Sequence, residues 1–175
     1  MTTRTSFILK TMNVIFWVIF IGLCIKTGAI LISFLVSLFL NPDGAKNLHL
    51  GLNLFDLFTF NKLHYIFIVS FIILLIGLKA YIAYLVVRIF LKFNFSSPFK
   101  TNIASLISKI SYVALGTGIL AILASAYSDW LIKKGIPISQ DWGSGEILFF
   151  AGVIYIIAQV FRKGIEIQTE NELTV

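Results

Sequence analysis

The sequence predicts an all-α integral membrane protein, a four-transmembrane-helix bundle, on three observations. Hydrophobic residues make up 58% of the chain and charged residues 13%, where a soluble domain carries about a quarter charged residues. Mean hydropathy is +0.95. The apolar residues gather into four stretches, about 12–38, 64–91, 103–128 and 146–162, each near the roughly 20 residues needed to cross about 30 Å of hydrocarbon. The connectors near 41–63, 92–102 and 129–145 are too short to fold as a soluble domain. Residues 1–175 therefore read as one membrane domain, ending in a short tail, 165–175.

The first stretch follows Arg4 and Lys10 and reads as a retained anchor. No A-x-A-like cleavage site appears, and the apolar run resumes from Ala29 to Leu40. Cys24 is the single cysteine, which excludes an intrachain disulfide; its plain role is a small apolar filler. In the loop that follows, Leu48, Leu50, Leu52 and Leu54 alternate with His49, Gly51 and Asn53, a period of two that suits a short extended segment. Ile136-Pro137-Ile138 in the later loop has a weaker alternation, and a short β pairing between the two would make a small extracytoplasmic cap. Phe55, Phe58, Phe60, Trp130 and Trp142 suit headgroup depth, where amphipathic aromatics anchor loops.

The third stretch carries a seam of small residues. Ala104, Ser108, Ser111, Ala114, Gly118, Ala121, Ser125 and Ser128 recur at steps of three or four and share one helical face. Lipid gives no hydrophobic drive for helix association, so close backbone approach and hydroxyl bonds through such a face hold bundles together. This places the third helix centrally, with a homodimer contact as the alternative use of the same face. Gly116-Thr117-Gly118 reads as packing. Within the other stretches, Lys26, Lys79 and Gln159 are polar, and no acid falls at mid-span to neutralise either lysine. An unpaired charge there is costly, so each lysine snorkels, lines a water-filled crevice, or binds an anionic lipid or small anion.

Charge beside the stretches gives an orientation. With both termini inside, Arg4, Lys10, Arg88, Lys92, Lys100, Lys109, Arg162 and Lys163 lie inside, against Lys46, Lys62, Lys133 and Lys134 outside. That excess predicts cytoplasmic termini. The formal net charge of +6 has no contiguous basic cluster with interleaved aromatics, which argues for anionic lipid and against direct nucleic-acid binding. Nothing points to an enzyme or a cofactor: no Gly-rich phosphate loop follows a strand and no G-x-S-x-G occurs. His49, Asp56 and His64 share a loop region, but their loose spacing lacks the tight ligand pairs of a structural metal site.

The segment from Phe150 to Val175 resembles the end of the bacterial membrane family catalogued as domain of unknown function 2975, whose members typically close on Gly-x-Glu-x-x-x-Glu-Asn-Glu-Leu-Thr. Gly164, Glu166, Glu170, Asn171, Glu172, Leu173 and Thr174 match that pattern. Ser97-Pro98-Phe99 resembles the family's Asn-Pro-Phe, with Ser in place of Asn, and the four-span layout agrees. Family genes are often found beside one for a small helix-turn-helix regulator. The resemblance thus implies a non-enzymatic membrane sensor or sequestering partner of such a regulator, with the tail, Pro98 and Phe99 as its contact. In that reading a mobile acidic segment with Leu173 and Val175 as apolar anchors docks on a basic regulator and competes with DNA for the same surface; the plain alternative is a solvated terminus, with Gly164 as the helix stop. The rival expectation is a small transporter or an anionic lipid-binding or small-molecule-binding protein that uses Lys26, Lys79 and Gln159.

Overall fold

The computed structural model describes residues 3–93 and 100–173. Five α-helices follow one another there: α1 (Thr3–Phe39), α2 (Phe55–Phe60), α3 (Lys62–Lys92), α4 (Thr101–Lys133) and α5 (Ser144–Leu173). A 3₁₀ turn, Pro42–Lys46, follows α1. Four of these helices are long and apolar enough to cross a membrane, over Phe7–Phe39, Lys62–Lys92, Thr101–Lys133 and Ser144–Glu170. The chain is a multi-pass, all-α membrane protein. Its helices overrun the predicted stretches at both ends because a hydropathy boundary marks the hydrocarbon edge, whereas backbone hydrogen bonding continues into the interface.

Local chemistry sets the helix ends. The Asn61 side chain accepts from the backbone N–H groups of Leu63 and His64, which caps α3. At the end of α4, Gly135 takes a φ of 87°, and Gly135 and Ile136 donate back to the carbonyls of Ile132 and Leu131. That left-handed residue turns the chain out of the helix, a conformation that favours glycine. Gly164 behaves differently. It is not among the positive-φ glycines, which are Gly51, Gly135 and Gly143, and α5 runs through it to Leu173. The expected stop at Gly164 is therefore corrected. A glycine inside a helix costs about 1 kcal/mol relative to alanine, and without the left-handed turn and its back-bonds it does not end one.

The long helices stand in a row. α1 packs on α3, α3 on α4 and α4 on α5, and no close backbone approach joins α1 to α5 among the described residues. Half of the apolar stretch of α4 is buried within the protein, against 33% in α3, 11% in α5 and 6% in α1. α4 and α3 are thus the inner pair. The register between α1 and α3 is fixed by three contacts: Phe16 with Phe90, Phe20 with Tyr84, and a 2.6 Å hydrogen bond between the Ser37 and Tyr65 hydroxyls. Between α3 and α4, His64 meets Tyr127 at one end and Tyr81 meets Lys109 further along.

The loops between α1 and α3 and between α4 and α5 gather at one end of the bundle, the loop end. The main core lies there, where Leu48, Leu54, Leu57, Ile136, Ile138 and Trp142 from the loops and α2 pack with Ile30, Tyr65, Ile68 and Leu131. No strand forms among the described residues, which corrects the expected β pairing. Leu50 and Gly51 have φ of 46° and 86°, the Asn47 side chain accepts from the Gly51 N–H, and Leu48 donates to the Leu52 carbonyl. This tight turn leaves Leu50 exposed while Leu48 and Leu54 are buried. The alternation put Leu50 on one side with Leu48 and Leu54, whereas the turn made by Asn47 and Gly51 swings Leu50 outward.

Candidate functional site

A cavity of about 550 Å³ opens at the loop end between α1, α3 and both long loops. α1 contributes Lys26 and Ile30, α3 contributes Ile72, Leu75, Ile76 and Lys79, and the loops add His49 to Asn53 and Ser139 to Trp142. Its size falls within the range of pockets that hold small ligands. The α1–α3 register explains its chemistry. Continuing the antiparallel series of Phe16 on Phe90, Phe20 on Tyr84 and Ser37 on Tyr65 brings Lys26 level with Lys79. At 1.5 Å per residue, Lys79 lies roughly 25 Å along α3 from Lys62 and about 20 Å from Lys92. Two lysines far from either end of their helices therefore share one cavity.

Little in the cavity neutralises them. Neither Lys26 nor Lys79 forms an ion pair among the described residues, whose ion pairs join Lys46 to Asp43 and Lys163 to Glu166. Asp141 is the one acid in the lining, and its Oδ1 accepts from the Gly143 N–H. The wall beside it is fixed by Trp142, whose buried indole N–H donates to the Ser128 hydroxyl at 3.0 Å. Two smaller cavities share lining with the first. One of about 310 Å³ takes in Gln140, Asp141, Trp142 and Glu146, and one of about 240 Å³ takes in Lys79, Thr117 and Glu146.

Gln159 sits elsewhere. It is half-buried on α5 and lines none of these cavities. The seam on α4 is covered by this chain itself. Ser111 donates to the Ala151 carbonyl, Arg162 donates to the Ser108 hydroxyl at 3.1 Å, and a Cβ built on Gly118 would stand 2.6 Å from Leu148 Cδ2. Ala104 and Ala114 are buried, Ala121 joins the loop-end core, half-buried Ser125 lines the cavity of about 310 Å³, and Ser128 holds Trp142. A second copy docking on this face would have to displace α5 or the loops.

In the tail, Gly164, Glu166 and Glu170 lie on α5, with Glu166 paired to Lys163 at 2.8 Å. Asn171, Glu172 and Leu173 fall in its last turn, with side chains outside the described set. Pro98, Phe99, Thr174 and Val175 lie outside the described residues. The histidines separate. His49 lines the main cavity, while His64 bonds the Tyr127 hydroxyl at 2.6 Å and lies between the Phe60 and Trp130 rings. No group of three metal-binding side chains converges among the described residues. Of the aromatics expected at headgroup depth, Phe58 and Trp142 pack in the loop-end core, and Phe60 and Trp130 are exposed. Sequence reasoning missed Gln140 and Asp141 as cavity lining, because only the fold brings the second loop over α3.

No family model matches the chain, and no curated protein or solved structure matches it either.

Proposed function

We propose that this chain is a non-enzymatic membrane sensor that holds or releases a small cytoplasmic helix-turn-helix transcription regulator. The observation that carries the reading is the continuity of α5. This helix starts two residues after Trp142, in the wall of the loop-end cavity, and runs unbroken through Gly164 into the acidic segment that carries Glu166 and Glu170. A helix is stiff along its axis, so displacement of its first turn by a ligand or loop movement is felt at its last. In this reading the loop end faces the outside of a bacterial inner membrane and both termini face the cytoplasm, as the lysine and arginine excess argues.

The acidic helix is the contact surface. Glu166 and Glu170 stand four residues apart and share one helical face, which suits a basic DNA-binding surface and would compete with DNA for it. The test is co-purification of a small helix-turn-helix regulator with the intact protein and with a deletion of residues 165–175. Retention by the intact protein and loss from the deletion are expected. Equal retention by both removes the tail from the account.

The cavity gives one specific observation in favour of a second reading, a small transporter or anion-binding membrane protein, because it holds Lys26 and Lys79 together. Anion flux into proteoliposomes that falls with Lys79→Leu would favour that reading over the sensor.

A further inference from the structure

We propose that the loop-end cavity is a binding site for the acidic headgroup of an amphiphile, with Lys26 and Lys79 as its counter-charges. The inference deepens the anion-binding reading of this cavity and rests on the sensor reading only for a regulatory meaning, since binding is measured here without a regulator. Two exposed cations that the α1–α3 contacts bring level line one cavity within apolar spans, where an unpaired charge is costly. A structure that places them in one cavity gains most when an anion lies between them. The lining supplies two lysines and one carboxylate, and that carboxylate already accepts a backbone N–H. This lining alone carries one positive charge in excess, and Glu146 lies across the smaller cavity that Lys79 also lines.

The rest of the lining fits an amphiphile. Ile30, Ile72, Leu75 and Ile76 form an apolar side, and the loop side carries polar Asn53 and Gln140 that can donate to headgroup oxygens. α1 is the least buried of the long helices, and Ile25, next to Lys26, is 65% exposed. A ligand whose acid reaches the lysines can therefore lay its apolar chain along α1 in the bilayer. The acid comes either from a bilayer phospholipid or from a free fatty acid, and the chemistry at the lysines is the same.

The experiment uses the full chain in phosphatidylcholine nanodiscs and counts bound molecules by native mass spectrometry. In one arm phosphatidylglycerol is part of the bilayer; in the other, dodecanoate is added from water. The proposal expects one tightly retained molecule in at least one arm, and the arm in which it appears identifies the source. Loss of a charged partner weakens binding by about tenfold or more, so Lys26→Gln with Lys79→Gln should strip the adduct at matched concentration. Lys79→Arg should keep it. Lys109→Gln, a lysine on α4 outside the lining, should leave it unchanged. Should the double variant fail to fold, Lys79→Met against Lys79→Arg gives the same comparison, with loss expected only in the first. No retained molecule in either arm, or equal retention by the neutralised variants, overturns the proposal. Tail deletion is not expected to alter binding, so failure at the cavity and failure at the tail are read separately.

Discussion

Gly116 and Gly118 lie two positions apart on α4 and meet opposite surroundings. A Cβ on Gly118 would stand 2.6 and 2.7 Å from Leu148 side-chain atoms, while one on Gly116 meets nothing within 4 Å. Gly118→Leu should therefore push α5 away and cost about 1–3 kcal/mol, as overpacking does. Gly116→Ala should be neutral or stabilise by up to about 1 kcal/mol through helix propensity. Thermal unfolding in detergent compares the two, and an equal loss at both positions would contradict the packing described. Ser128 makes a second case. Ser128→Ala leaves the buried Trp142 indole without its acceptor, at a cost of about 1–3 kcal/mol. A lowered thermal midpoint with a shifted tryptophan emission is expected, and an unchanged emission would show that the bond does not hold the cavity wall. The seam that contains Gly118 and Ser128 was legible from residue size and spacing alone. Its partners were not, because spacing names a face without saying what covers it.

Helix α5 shows where sequence signals divide. Gly135 and Gly164 both follow a lysine near the end of an apolar span, yet Gly135 takes a left-handed φ and ends α4 while α5 passes through Gly164. The difference lies in the back-bonds of the chain after Gly135 to Leu131 and Ile132, and these depend on Ile136 entering the core. Tertiary packing thus decides which glycine is a stop. If the tail works as a helical extension, Gly164→Ala should preserve regulator retention and add about 0.5–1 kcal/mol of local helix stability. Gly164→Pro should break the helix and lose the regulator although every acid remains. Hydrogen exchange over 160–173 reads the first effect and co-purification the second. Retention by the proline variant would mean that the acids act without the helix. The meeting of Lys26 and Lys79 was equally hidden, since hydropathy locates each lysine along its own span and only the contacts between α1 and α3 set their relative height.

At the scale of the whole molecule, four apolar stretches were enough to predict four helices long and apolar enough to cross a membrane, because an apolar segment of that length must pair its backbone N–H and C=O groups internally, as a helix does. Their arrangement as a row, with α1 and α5 on the flanks, needed the structure. The proposed orientation predicts that a reporter fused after Val175 is active only in the cytoplasm, and that one inserted at exposed Leu50 is active only outside. The reverse pattern would place the acidic helix where no transcription regulator can reach it. The most direct measurement of the central claim is capture of the intact protein from its native membranes, scored for a small helix-turn-helix DNA-binding regulator, beside the same capture after deletion of residues 165–175. The account predicts that the regulator is recovered with the intact chain, is released by competing DNA, and is lost with the deletion. Recovery unaffected by the deletion, or no recovery with the intact chain, would contradict it.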